Sequence, residues 1–272
     1  MNKNRIDIKL EQLKAENRKA LVTFITAGDG GYQTTEDAIL AMEKNGADII
    51  EIGVPFSDPV AEGPVIQDAS VRALQGGTTL VGIFEMVKRL REKTDMPLLF
   101  MMYLNTIYRF GTERFFKLCV ECGIDGVIVP DMPFEEYDEI VPTADKYGVY
   151  SISLVAPTSH KRVEKIAKSA KGFLYCVSSV GVTGTRSRFD TDFNEFFKPV
   201  KEFSRVPYFV GFGISNGEQA KAMSGYCDGV IVGSAIVKIV GEGGNVAENV
   251  GVAHNQFVFL LIVNIIFLIA GC

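Results

Sequence analysis

The sequence predicts a single α/β domain of the (β/α)8 TIM-barrel class with an extra N-terminal helix. Three observations carry this. Eight short apolar segments of strand character alternate with amphipathic helical segments over about 240 residues, the size of one such barrel. The strands are rich in Ile, Val and Leu without polar alternation, as expected for a parallel sheet covered on both faces. A doubly wound sheet would normally have fewer strands and a dinucleotide-type glycine turn after the first, and Ala27-Gly28-Asp29-Gly30-Gly31 does not have that pattern.

The elements follow in order. An amphipathic segment, Ile6 to Ala15, precedes the first strand, Leu21 to Thr26. Thr34 and Thr35 are expected to cap a helix reaching about Asn45-Gly46. The second strand is Asp48 to Gly53, followed by helical periodicity over Val65 to Leu74 and Thr79 to Lys93. The third strand, Pro97 to Tyr103, leads to a helix over Thr112 to Cys122, closed by Gly123. The fourth, Asp125 to Pro130, leads to a helix over Glu135 to Tyr147, closed by Gly148. The fifth, Val149 to Val155, precedes a helix over Ser159 to Ala170. The sixth, Gly172 to Val177, precedes one over Phe189 to Phe203. The seventh, Pro207 to Gly211, and the eighth, Asp228 to Gly233, are followed by helices over Asn216 to Ser224 and Ser234 to about Val240.

The second strand carries the chemistry. Ile49, Glu51 and Gly53 share one face and Ile50 and Ile52 the other. A carboxyl inside an apolar strand is costly unless something uses it. After it, Pro55, Pro59 and Pro64 stiffen a loop bearing Asp58 and Glu62. Two or three carboxyls gathered at the end of one strand suit acid–base chemistry. A glutamate paired with a neighbouring barrel cation, beside a proline-rich turn, is the structural alternative.

Composition narrows the function. A net charge of −5, with no basic cluster interleaved with aromatics, excludes a nucleic-acid binder. The opening residues hold no apolar signal core, so a cytoplasmic location is expected. Five cysteines without framework spacing fit a reducing compartment. Cys119 and Cys122 stand in a C-x-x-C within a helical pattern, with no second pair and no nearby histidine, so core packing is expected and no metal site. His160 and His254 have no partners at ligand spacing and are expected at the solvated surface.

In such barrels a phosphate site often forms in the loops after strands seven and eight. Here they read Gly211-Phe212-Gly213-Ile214-Ser215 and Gly233-Ser234-Ala235-Ile236. Glycines let amides approach an anion, and Ser234 opens a helix. The loop after strand six, Val180 to Thr185, is equally glycine-rich.

Four motifs in chain order carry a family resemblance: Glu51-Ile-Gly-Val-Pro-Phe-Ser-Asp-Pro59, Ser179-Val-Gly-Val-Thr-Gly184, Gly211-Phe-Gly-Ile-Ser215 and Gly233-Ser-Ala-Ile-Val-Lys238. Together they resemble the α subunit of tryptophan synthase, from about residue 1 to 240. The resemblance implies cleavage of indole-3-glycerol phosphate, a phosphate ester, to indole and glyceraldehyde 3-phosphate. No metal or cofactor is implied in this chain. Pyridoxal phosphate is implied only in a partner β subunit, with an α2β2 heterotetramer through which indole is passed. Glu51 and Glu62 match the two catalytic carboxyls. At position 62 the family has aspartate, so this chain departs from the pattern by one methylene. Phe24, Tyr103, Ile128 and Phe212 match the apolar indole pocket, and Tyr175 a tyrosine beside the glutamate. Thr183 and Gly184 match a mobile loop. Gly184, Gly213, Gly233 and Ser234 match the phosphate cradle. The loop around Ser57 to Pro59, the segment near Asn105 and Asp131-Met132-Pro133 match surfaces that face the β subunit. A sugar-phosphate epimerase would want metal ligands at strand ends, and an indoleglycerol phosphate synthase a strand-end lysine; neither pattern is present. The alternative of another class is a non-catalytic phosphate-binding barrel that activates a β partner.

Residues 1–240 are therefore read as the catalytic barrel and 241–272 as an atypical apolar tail. Gly241, Gly243 and Gly244 interrupt helix formation, and Phe257 to Ala270 holds Asn264 as its one polar residue. That run is shorter than the ~20 residues of a spanning helix, so membrane contact is not expected; a buried closing element and an altered reading frame at the 3′ end are the other two readings of it.

Overall fold

The computed structural model describes residues 3–156, 160–177, 193–211, 214, 216–255 and 257. Helix α1 (Arg5–Ala15) leads into β1 (Ala20–Thr26), α2 (Tyr32–Lys44), β2 (Ile49–Gly53), α3 (Pro64–Gln75), α4 (Leu80–Arg91) and β3 (Leu98–Met101). Then come α5 (Leu104–Phe110), α6 (Thr112–Cys122), β4 (Gly126–Ile128), a 3-10 turn at Phe134–Glu139, α7 (Val141–Tyr147), β5 (Tyr150–Ser151) and β6 (Leu154–Val155). The remainder is α8 (His160–Ser169), β7 (Leu174–Val177), α9 (Phe193–Phe203), β8 (Tyr208–Gly211), α10 (Gly217–Ser224), β9 (Gly229–Val232) and α11 (Ser234–Glu242).

The strands are parallel neighbours in the order β5-β4-β3-β2-β1-β9-β8-β7-β6. β5 and β6 are two halves of the predicted fifth strand, and through them the sheet closes. The Ile152 amide donates to Val127 O on one side at 2.9 Å, and Ser153 O accepts from the Tyr175 amide on the other at 2.9 Å. The register stagger of a closed barrel makes one strand pair with its two neighbours over different stretches. The chain is thus an eight-stranded (β/α)8 barrel, as predicted.

Alternate strand residues point inward. Val22, Ile49, Leu99, Ile128, Ile152, Phe173, Tyr175, Phe209 and Ile231 form the inner core. The opposite faces join the helices in a larger outer layer. α1 plugs the N-terminal end with Ile6 and Leu13. It is tied there by Asn4, whose side chain donates to Asp125 O and Gly148 O, and by Arg5, which donates to the Asp125 carboxylate. The same buried carboxylate takes Arg91 at 2.7 Å and the Leu98 amide at 2.9 Å. Cys119 and Cys122 lie buried in the outer layer, where burial raises both thiols. No metal-holding cluster occurs among the described residues.

The structure corrects several local expectations. α2 begins earlier than the threonines imply. Thr34 and Thr35 lie in its first turn and donate back to Gly30 O and Gly31 O, so they fasten the preceding loop instead of capping the helix. α5 was not foreseen; its seven residues precede Gly111, whose φ of 94° ends it. The helix expected over Glu135 to Tyr147 is split, because Pro142 lacks an amide donor and restarts the chain at α7. α11 runs through Gly241 and is closed by Gly243 and Gly244, at φ 73° and 75°.

A further helix over 246–255 packs on α2, correcting the placement of His254. That histidine is fully buried, with Nδ1 3.0 Å from Asn45 O and Nε2 without a partner among the described residues. Asn255 donates to the Asn45 side chain at 3.0 Å, and Gly251 allows the same side chain close approach. The apolar run beyond Phe257 lies outside the described residues. Among the described residues no helix is long and apolar enough to cross a membrane.

Burial pushes His254 down to about 4 from an ordinary 6.5. A depressed histidine is neutral in the fold and charged in the unfolded chain between those values. Stability is therefore full above about 6.5 and falls as the pH drops towards 4. Urea midpoints measured at pH 7 and pH 4.5 are expected to show an acid loss on the order of 2–3 kcal/mol larger in the wild type than in His254→Gln.

Candidate active site

The C-terminal ends of β1, β2 and β3 surround a small cleft lined by Phe24, Thr26, Phe56, Glu62, Ile66 and Tyr103, among others. Gly53 borders it at the end of β2. Glu51 lies two residues earlier on the same face, hence one layer deeper in the barrel. Register places it between Phe24 and Leu99.

Glu51 is fully buried, and neither carboxyl oxygen has a hydrogen-bond partner among the described residues. The expected structural alternative, a pairing with a barrel cation, is not what these residues show. Burial alone pushes the group up to about 8. It is therefore largely protonated at neutral pH yet close enough to that range to exchange its proton. Tyr175, in β7, is likewise buried, and its phenol is raised first by burial and second by the Glu51 charge.

Backbone without side chains makes room for these rings. A Cβ on Gly211 would lie 2.3 Å from the Tyr175 hydroxyl oxygen, and one on Gly53 would lie 2.3 Å from the Phe24 ring. Gly211→Ala is expected to force Tyr175 out of place and to cost about 1–3 kcal/mol, read as a lower denaturant midpoint.

The second carboxyl sits on the loop between β2 and α3. Gly63 is the N-cap of α3 and Pro64 its first residue, an arrangement that needs no amide from the proline. Gln67, one turn into the helix, donates to Glu62 O at 2.8 Å and fixes the backbone there. The Glu62 carboxylate accepts from the Tyr103 hydroxyl. Burial raises its pKa, partly countered by that hydrogen bond, while the nearby Asp131 charge raises it further. Tyr103 was expected as apolar lining, but its oxygen is a polar hub. It also accepts from the Val60 amide at 2.8 Å and the Ala61 amide at 2.9 Å, and its ring stacks on Phe56 at 4.8 Å. Asp58 does not join this group: it is exposed and accepts from the adjacent Ser57 hydroxyl.

Gly233 and Ser234 open α11, with Gly233 as N-cap and Ser234 first in the helix. Val237 of this helix packs with Phe24 of β1 and with Ile66 and Ala69 of α3. That small cluster joins the helix expected at the phosphate to the one after Glu62. Ile128 is buried in the inner core at the end of β4. Thr183, Gly184, Phe212 and Gly213 lie outside the described residues. Sequence reasoning passed over Phe56, although it lies inside the most distinctive motif. It also passed over Thr26, whose buried hydroxyl lacks a partner among the described residues.

A closed (β/α)8 barrel that presents one isolated buried carboxyl and a second, loop-borne one at its strand ends is built as an acid–base enzyme. The model of the family described as tryptophan synthase alpha chain matches residues 10–259, so the likeness runs past the expected limit near 240. A tryptophan synthase alpha chain of Thermoanaerobacter sp. (strain X514) is 50% identical over 245 residues, covering 90% of this chain and 94% of its own. That of Alkaliphilus metalliredigens is 48% identical over 240 residues, covering 88% and 90%. Among solved structures, tryptophan synthase subunit alpha of Legionella pneumophila superposes with a TM-score of 0.87 at 36% identity, covering 95% of this chain and 98% of that one. The chain belongs to the tryptophan synthase alpha chain family, carbon–carbon lyases that cleave indole-3-glycerol phosphate to indole and glyceraldehyde 3-phosphate.

Proposed function

We propose that in this chain Glu51 carries the proton of that cleavage and Glu62 holds the indole N–H. The observation that carries the reading is Glu51 itself: fully buried, without a partner among the described residues, and raised to about 8. Cleavage requires a proton on the ring carbon that leaves and removal of a proton from the hydroxyl on the adjacent side-chain carbon. A protonated Glu51 supplies the first, and the carboxylate so formed accepts the second. The carbon–carbon bond pair returns to the protonated ring, the hydroxyl oxygen becomes the aldehyde carbonyl, and Glu51 is restored. A carboxylate at position 62 pairs with the ring N–H while the ring is positively charged.

Phe24, Tyr103, Ile128 and Phe212 form the indole pocket in this reading, with Tyr175 beside Glu51. Gly184, Gly213, Gly233 and Ser234 take the phosphate, and Thr183 belongs to the loop that covers it. The proton inventory closes on this chain's own carboxyls, so the reading needs no metal or cofactor here and leaves pyridoxal phosphate to the β subunit. The partner is a tryptophan synthase β subunit in an α2β2 assembly, in the cytoplasm. Residues 1–240 carry the site in this reading, and the helix over 246–255 packs on the same barrel through His254 and Asn45.

The test is indole release from indole-3-glycerol phosphate by the purified chain, with and without a β subunit. Indole that increases on adding β is the expected result. Stimulation of β chemistry with no indole formed in either case would sink the catalytic reading.

A further inference from the structure

The loop-borne carboxylate is not held by the loop alone. One oxygen, Tyr103 Oη, touches three groups of that loop: it accepts from the amides of Val60 and Ala61 and donates to Glu62. With two amides donating to it, the hydroxyl has its own proton directed at the carboxylate, because an amide can only donate. The tyrosine is in turn rigid. Its ring is stacked on Phe56 and is 4% exposed. The next residue, Leu104, donates its amide to the Asp131 carboxylate at 3.0 Å. The two acidic side chains facing each other here are Glu62 and Asp131, and Tyr103 is the donor that faces Glu62.

We propose that Tyr103 is a positioning residue that places the Glu62 carboxylate for the indole N–H. This rests on the lyase reading above and adds to it a reason why glutamate works at a position where the family has aspartate. A methylene is worth about 1.5 Å of reach. The longer side chain meets the fixed phenol, and the phenol defines where the carboxylate stops. A hydrogen bond donated to a carboxylate favours its charged form. Removing the hydroxyl therefore makes Glu62 a weaker acid and leaves the Val60 and Ala61 amides without their acceptor.

The experiment is steady-state indole formation as a function of pH by the wild type, Tyr103→Phe, Glu62→Gln and the double variant, with melting temperatures recorded in parallel. Tyr103→Phe is expected to lower kcat about tenfold with KM within about twofold, and to move the acidic limb of kcat/KM to higher pH by about one unit. In the Glu62→Gln background, where position 62 has no ionisation, Tyr103→Phe is expected to change the acidic limb no further. A 3-fluorotyrosine at 103 keeps shape and hydroxyl but donates more strongly, so it moves the limb to lower pH even if Tyr103→Phe folds poorly. A lower melting temperature with the limb and kcat unmoved would mean that Tyr103 only staples the loop, and would overturn the proposal. A limb shift that persists in the Glu62→Gln background would overturn it too. No indole from the wild type would instead overturn the lyase reading beneath it.

Discussion

Glu51→Gln is expected to lower indole formation by about 10³-fold or more and at the same time to raise the melting temperature. The two effects share one cause. The Glu51 carboxyl is buried, unpartnered among the described residues, and raised to about 8. The unfolded chain ionises this group from about 4.5 upward, whereas the fold keeps it protonated. Stability contributed at this site is therefore present below about 4.5 and lost as the pH climbs towards 8. At pH 7 the cost is on the order of 3 kcal/mol, which the neutral amide of glutamine does not incur. Glutamine cannot carry the proton, so activity falls while denaturant midpoints rise. Measuring both on one protein separates a chemical group from a structural one: a structural glutamate would lose stability on this change. Sites that hold strain or an ill-solvated group for function commonly gain stability when it is removed.

Glu62→Ala is expected to lower kcat by about 10²-fold, with little change in stability. The side chain is half-buried on a loop, and its partner Tyr103 keeps the Val60 and Ala61 amides as donors after the carboxylate is gone. Its loss therefore removes no core packing. Glu62→Asp is expected to fall between, because misplacing a reacting group by ~1 Å can cost on the order of 100-fold, yet the charge is kept. The measurement is kcat with and without the β subunit. An alanine variant with wild-type kcat would remove Glu62 from the chemistry.

Much of the barrel was legible because its rules are local. Ile49, Ile50 and Ile52 mark a strand buried on both faces, and a glutamate among them marks a group in use. Gly123 and Gly148 close their helices in the left-handed region, as their places in the pattern imply. What escaped depends on partners distant in the chain. The break between Ser151 and Leu154 follows from barrel closure, since that strand must reach both β4 and β7. His254 looked like a surface residue because its acceptor, Asn45 O, lies 209 positions away. Tyr103 looked like pocket lining because its loop partners, Val60 to Glu62, are some forty positions distant, and only the folded loop brings them to its hydroxyl. α5 was missed because Leu104–Phe110 is too short to show a helical period against β3 and α6 on either side.

The most direct test of the central claim is the pH dependence of kcat/KM for indole release from indole-3-glycerol phosphate, followed from pH 5 to pH 10. A proton carrier held at about 8 predicts a basic limb near that pH, with activity lost as Glu51 ionises, and no such limb in the residual activity of Glu51→Gln. A rate that stays level through pH 9, or a basic limb that survives unchanged in Glu51→Gln, would contradict the assignment of Glu51 as the group that carries the proton.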